Sequence, residues 1–286
     1  MELCQPNVIR ALMEEAGIKF RKDFGQNFLI NSAVPARIAD ECAERSDCLV
    51  LEIGPGIGCL TKELALRYEK VVAIEIDKGL LPVLDKTLAD FDNVKIISGD
   101  VMKLDLPALI AEEAKGRPVC VAANLPYYIT TPILMRLLEC GVPFSAITVM
   151  VQSEVASRFT AKAGTAEYGA ITAVLAYYGE AKKLFTVPAG CFLPAPKVNS
   201  AVMRIDLYKE SPYKIKDVKL FFALIHAAFA QRRKTLVNAI NAALPQYEKT
   251  LLAEVITSLG FSETVRGERL SCADFAALSD LLCETP

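Results

Sequence analysis

Short apolar runs recur along the first half of the chain: CLVLEIG (48–54), VVAIEID (71–77), VKIISGD (94–100), VCVAANL (119–125) and AITVMVQ (146–152). Each is rich in β-branched residues and reads as a buried strand. Helical spacing fills the gaps at LTKELALRY (60–68), around 79–90 and at TPILMRLLEC (131–140). Strand and helix in alternation predict right-handed βαβ units and a parallel sheet covered on both faces. The pattern changes after residue 208. YKESPYKIKDVK is polar and carries a proline, as a linker would. FFALIHAAFAQRRKTLVNAINAAL and the shorter pieces after it have helical periodicity. The expected organisation is a catalytic α/β domain over 1–208 and a small all-helical domain over 209–286.

Composition narrows the classes. With 286 residues, 52% of them hydrophobic, the chain can bury a large core. The net charge of −2 carries no global basic field, so any nucleic-acid contact has to come from local patches. Nine scattered cysteines without a C-x-x-C pair, and the single histidine His226, argue against a metal centre and for reduced thiols in a cytoplasmic protein. No apolar run is long enough to span a bilayer, and no secretory signal is expected at the N-terminus.

The loop Glu52-Ile53-Gly54-Pro55-Gly56-Ile57-Gly58 joins the first strand to a helix. Glycines allow a tight turn and close approach of a ligand, and the helix start offers backbone N–H groups. The dinucleotide fingerprint G-x-G-x-x-G fails, because its third glycine falls at Cys59. Glycine at every second position, two residues after an acid, fits an S-adenosylmethionine (SAM) site instead. Glu75 closes the second strand, where a carboxylate can accept both hydroxyls of a ribose. Asp100 closes the third, where it can accept an adenine amine, while Asp77 reads as a helix cap. The fourth strand ends in Asn124-Leu125-Pro126-Tyr127. There an amide and turn carbonyls can bond an exocyclic amine, and a tyrosine can stack on a flat base. The group suggested is an adenine N6 held for methyl transfer.

With these motifs the chain resembles the KsgA family of ribosomal RNA adenine N6-dimethyltransferases. The resemblance runs through FGQNFL (24–29), EIGPGIGCLT (52–61), AIEID (73–77), GDVMKLD (99–105), NLPYYITTPIL (124–134), VQSEVASRF (151–159) with YG (168–169), FLPAPKVNSAV (192–202) and AFAQRRKTL (228–236). Cys59 occupies a variable family position, and Thr130 stands where serine is common. The resemblance implies a Rossmann-like SAM-dependent methyltransferase sheet with the helical domain behind it in sequence. It implies that Gln26, Asn27 and Leu29 enclose the cofactor, that the loop of Gly54 and Gly56 passes its methionine part, that Glu75 and Ile76 hold the ribose, and that Asp100 and Val101 border its adenine. Asn124, Leu125 and Pro126 would meet cofactor and target amine, with Tyr127 and Phe192 on either side of the target base. No metal is implied.

The implied substrate is a pair of adjacent adenosines near the 3′ end of 16S rRNA in the 30S subunit, met by a monomer. Lys19, Arg21 and Lys22 at the active-site rim, and Arg232, Arg233 and Lys234 in the C-terminal domain, are the expected RNA contacts, with Arg136 and Arg158 as weaker candidates. His226 is expected to be structural. Two other functions share parts of this pattern. An Erm-type enzyme would dimethylate a large-subunit adenine; the longer C-terminal part, with RGERLS (266–271), favours the small-subunit reading. A non-catalytic assembly factor would not need the intact glycine loop, Glu75, Asp100 and NLPY. A nicotinamide dehydrogenase fails at Cys59 and lacks a catalytic histidine.

Overall fold

A computed structural model of the chain describes residues 1–18 and 26–284. The chain forms two compact units, Met1–Ala156 with Lys182–Lys209, and Ser157–Ala181 with Glu210–Pro286. The sequence reading placed 157–181 in the first domain; the structure groups it with the C-terminal helices.

The strands are β1 (Phe28–Leu29), β2 (Leu49–Ile53), β3 (Lys70–Glu75), β4 (Val94–Ser98), β5 (Val119–Asn124), β6 (Phe144–Gln152), β7 (Gly179–Val187), β8 (Phe192–Leu193) and β9 (Ser200–Leu207). The helices of the first unit are α1 (Pro6–Glu15), α2 (Ala33–Asp40), α3 (Cys59–Ala65), α4 (Leu81–Thr87), α5 (Leu106–Ala114) and α6 (Thr130–Glu139). Seven strands pair in the order β4-β3-β2-β5-β6-β9-β7. From β4 to β6 all pairs are parallel, as the alternating pattern predicts. The sheet is not parallel throughout, because β9 returns antiparallel to β6 (Met150↔Val202). Residues on both faces of β2 are buried, Val50 on one side and Leu49 and Leu51 on the other. A continuous apolar run is what such a central strand requires.

The second unit is helical. The chain enters it within α7 (Ser153–Phe159), continues through α8 (Ala170–Tyr178), and completes it with α9 (Val218–Ala230), α10 (Leu236–Ala243), α11 (Lys249–Ser258) and α12 (Cys272–Glu284). The long periodic segment read as one helical stretch is two helices, broken at Gln231–Thr235. Asp217 caps α9 by accepting from the N–H groups of Lys219 and Leu220, and Thr235 caps α10. Aromatic packing explains why 157–181 belongs here. Tyr177 packs on Phe221 and Phe222 with ring centroids 5.5 and 5.3 Å apart. Buried Tyr168 donates its hydroxyl to Leu270 O at 2.9 Å. His226 is exposed on α9. Among the described residues no helix is long and apolar enough to cross a membrane.

Candidate active site

The strand order reverses between β2 and β5. In an open α/β sheet the ligand crevice opens there, at the carboxyl ends of the strands. The first unit places its polar motifs at those ends. β2 runs into the glycine loop, β3 ends on Glu75, β4 leads to Asp100, and β5 ends on Asn124. A cleft is lined there by residues including Asn27, Leu29, Glu52, Gly54, Glu75, Asn124, Pro126 and Tyr127.

Gly54, Gly56 and Gly58 all adopt left-handed backbone, with φ of 71°, 62° and 92°. Side chains other than glycine disfavour that region. At Gly56 the close approach is also visible, because a Cβ would stand 3.2 Å from the Phe28 ring. The Gly56 N–H donates to Glu75 Oε2 at 3.1 Å, and the Asp77 N–H to Oε1 at 2.8 Å. Glu75 is therefore locked across the loop at 4% exposure. Burial raises its pKa, and the two backbone donors oppose that rise. Each of its oxygens keeps a lone pair for a further donor. Asp77 does cap, accepting from Gly79 N at 3.1 Å at the start of a 3₁₀ turn. Its other oxygen takes the Gln26 amide at 2.9 Å, which fixes the segment leading into Asn27. Ile76 lies at the rim, 48% exposed.

Asn124 donates its Nδ2 to Asn27 O at 3.2 Å, which leaves Oδ1 as its acceptor end. The turn after it is tied down at several points. Leu125 N bonds Met150 O at 3.1 Å; Ile129 N and Thr130 Oγ1 both bond Pro126 O, at 3.2 and 3.1 Å. Tyr127 is half-buried, with its hydroxyl 2.5 Å from Ser200 Oγ. Burial raises its pKa, against the pull of that bond.

Two distant motifs meet in a way the sequence does not announce. β1 and β8 form an antiparallel ladder, Phe28↔Leu193 and Leu29↔Phe192, extended by Ile30 N to Cys191 O at 2.8 Å. Phe28-Leu29, the end of FGQNFL, and Phe192-Leu193, the start of FLPAP, are thus one short sheet beside the cleft. Phe192 is 2% exposed and packs in the same core as Phe28 and Leu29. Unlike Tyr127, it is not among the residues lining the cleft, because the pairing turns its ring into the core. Asp100 and Val101 also lie outside that lining. Val101 is buried, and Asp100 accepts from Met102 N at 2.9 Å with Lys103 Nζ 3.9 Å away.

Sequence reasoning passed over Glu52 as a site residue. It lines the cleft at 1% exposure, and its Oε2 has no hydrogen-bond partner. Burial pushes its pKa up to about 8, with Glu75 adding to the rise and the Thr61 hydroxyl opposing it. The available signal was an acid inside an otherwise apolar strand.

The basic candidates divide. Lys19, Arg21 and Lys22 lie outside the described residues. In the second unit Arg232, Arg233 and Lys234 are exposed in the α9–α10 turn, but Arg232 Nη2 donates to Ala166 O and Tyr168 O at 3.0 and 3.1 Å. Arg136 donates to Leu104 O at 3.0 Å and serves the fold of the first unit. Charged hydrogen bonds are worth ~1.5–3 kcal/mol. Arg232→Ala is therefore expected to lower the melting temperature, whereas Arg233→Ala with Lys234→Ala leaves it unchanged and weakens RNA binding in a filter assay. Equal melting of both variants would remove the structural role from Arg232.

A doubly wound sheet whose glycine loop, buried Glu75 and Asn-Leu-Pro-Tyr turn converge on one crevice has the architecture of a Rossmann-like methyltransferase. The model of the ribosomal RNA adenine dimethylase family matches residues 17–281, and the chain belongs to that family. It is 44% identical over 278 residues to ribosomal RNA small subunit methyltransferase A of Alkaliphilus metalliredigens, covering 97% of each chain. It is 47% identical over 270 residues to the protein of that name from Lachnoclostridium phytofermentans, covering 93% of this chain and 92% of that one. A dimethyladenosine transferase from Plasmodium falciparum superposes with a TM-score of 0.75 at 26% identity, covering 88% of this chain and 95% of that one. The 23S rRNA methyltransferase ErmE gives 0.72 at 25%, covering 90% and 100%.

Proposed function

We propose that this enzyme dimethylates N6 of two adjacent adenosines near the 3′ end of 16S rRNA, acting as a cytoplasmic monomer on the 30S subunit with SAM as methyl donor. The observation that carries the reading is the convergence of the glycine loop, Glu75 and the Asn124 turn on one cleft. The cleft fits the cofactor. Its glycine loop brings backbone N–H groups to the cleft, Gly56 has no room for a Cβ against the Phe28 ring, and Glu75 retains lone pairs for ribose hydroxyls. Gln26 and Asn27 close one wall, and Ile76 lies at the rim. Asp100 has Oδ2 available to an adenine amine beyond its contact with Lys103.

SAM, when bound, supplies a methyl group already activated on a sulfonium. The chain's own task is to hold the attacking amine. Asn124 Oδ1 accepts one N6 hydrogen. Pro126 O is spent inside the turn, so the second acceptor is assigned to Leu125 O. Two acceptors on the amine draw its lone pair out of conjugation and aim it, and positioning of this kind is worth effective molarities on the order of 10⁵–10⁸ M. Tyr127, fixed through Ser200, offers a stacking face for a base that has left its helix. For Phe192 to cover the other side, its ring has to turn out of the core.

The test is transfer from labelled SAM to unmethylated 30S and 50S subunits. Label recovered as N6,N6-dimethyladenosine from 30S is the expected result. Label confined to 50S would mean an Erm-type enzyme. Tight SAM binding without transfer to either would leave an assembly factor.

A further inference from the structure

Six large apolar side chains stand exposed among the described residues. Three of them gather at the edge of the sheet where the cleft opens: Ile76 after β3, Tyr128 after β5 and Val198 before β9. Because β9 runs antiparallel to β6, its start lies at the carboxyl ends of the parallel strands. Exposed apolar residues scattered singly need no explanation, but a group of them at the mouth of a site does. Ile76 lines the cleft on the side of Glu75. Tyr128 and Val198 remain on the side of the target base, outside the lining of the cleft.

The turn after β5 sets the position of Tyr128. Ile129 N bonds Pro126 O at 3.2 Å, so Tyr127 and Tyr128 are the two corner residues of one β-turn. Their Cα atoms are ~3.8 Å apart. Their side chains have different surroundings. Tyr127 is half-buried, with its hydroxyl 2.5 Å from Ser200 Oγ. Tyr128 is 61% exposed, and its side chain has neither a hydrogen bond nor a ring partner among the described residues. The turn itself is held by Thr130 Oγ1 on Pro126 O and by Leu125 N on Met150 O. A large flat ring is thus carried on fixed backbone and left in water, next in the chain to the ring assigned to the target base. Val198 lies two residues before Ser200, within about 7 Å of it along the chain, and adds apolar surface at the same edge.

A base that leaves its stack to enter a pocket deprives its neighbour in the strand of a stacking partner. We propose that Tyr128 replaces that partner, stacking on the base adjacent to the one held against Tyr127, with Val198 at its margin. This rests on the reading of the cleft as the site of an RNA adenine. The feature recognised is then a pair of neighbouring unstacked bases rather than a single one. Tyrosine suits the role because every base has a π-face, so the contact tolerates any base and fails only where the base is missing. Tyr128 is a positioning residue: it holds the strand beside the target nucleotide and touches neither the reacting amine nor the cofactor.

The experiment is single-turnover transfer from labelled SAM to unmethylated 30S subunits at subsaturating concentration, with wild type, Tyr128→Ala and Tyr128→Phe. The subunits are rebuilt so that one adenosine of the pair is left, flanked by bases on both sides or by an abasic residue on its 5′ or its 3′ side. Tyr128→Ala is expected to lose roughly 5- to 150-fold in rate on the fully flanked subunits. Wild type is expected to lose a similar factor when the base on one side, and not the other, is removed, and Tyr128→Ala to lose nothing further there. Tyr128→Phe is expected to keep the wild-type rate, with SAM affinity and melting temperature the same in all three proteins. An alanine variant as fast as wild type overturns the proposal. So do losses that multiply on both abasic substrates, and a phenylalanine variant as slow as the alanine one, which would mean a hydroxyl contact. Wild type that transfers nothing to any 30S substrate is a distinct failure: it removes the substrate reading, and the proposal falls with it.

Discussion

Asn124→Ala is expected to slow methyl transfer by a factor on the order of 10²–10³, the size seen when one preorganised hydrogen-bonding group at a reaction centre is removed. The amide does two things at once. Its Nδ2 ties the end of β5 to Asn27 O, and its Oδ1 is the acceptor proposed for the target amine. Alanine leaves the amine held only by Leu125 O and free to rotate back into conjugation. The tether is one hydrogen bond, worth ~1 kcal/mol, so the protein stays folded and its melt shifts little. Single-turnover rates at saturating SAM separate the effects. A fall in the rate constant supports the assignment. An effect confined to the SAM concentration needed for half the rate would place Asn124 on the cofactor alone. Asn124→Asp is expected to do no better, since a carboxylate has no proton to donate to Asn27 O.

Glu52→Gln is expected to stabilise the protein at alkaline pH. The folded-state pKa of about 8 lies above the ordinary value of 4.5. Below the ordinary value the group is protonated folded and unfolded, and it has no effect on pH dependence. As pH rises, the unfolded chain releases the proton and the folded one keeps it, so stability is lost until pH passes the folded value. A displacement of that size corresponds to several kcal/mol, at about 1.4 kcal/mol per pH unit. Glutamine has no such slope. Melts at pH 5 should nearly coincide, and at pH 8.5 the variant should melt several degrees higher. A variant that melted lower at pH 8.5 would mean that the folded protein already pairs Glu52 with a cation.

Local pattern was enough for β2 to β6, because the central strands β2, β3, β5 and β6 are apolar along nearly their whole length and the edge strand β4 still carries Val94, Ile96 and Ile97. It failed for β7 and β9. GEAKKLFTV (179–187) is polar on its exposed side, as an edge strand must be, and SAVMRIDL (200–207) was absorbed into the FLPAPKVNSAV motif. The motif residues could be read because strand ends carry few polar groups without a reason. What lies between motifs could not. The burial of Phe192 follows from pairing with a segment more than 160 residues away. The binding of Arg232 to backbone carbonyls, and the burial of Glu52, depend likewise on neighbours distant in sequence.

The second unit is assembled from two lengths of chain, and this sets an order of events during synthesis. Helix α8 buries Thr172, Ala173, Val174 and Leu175 in that unit, with α9 and α12 among its neighbours. When α8 has left the ribosome, 39 residues (179–217) must still follow it out before the first residue of α9. At ~5–20 residues per second that interval is roughly 2–8 s. Throughout it, an apolar helix waits without its core while the strands on either side of it complete the sheet. An enzyme that matures ribosomes thus leaves one with a stretch in need of shielding, and slow codons placed across 179–217 should lower its soluble yield without changing any residue.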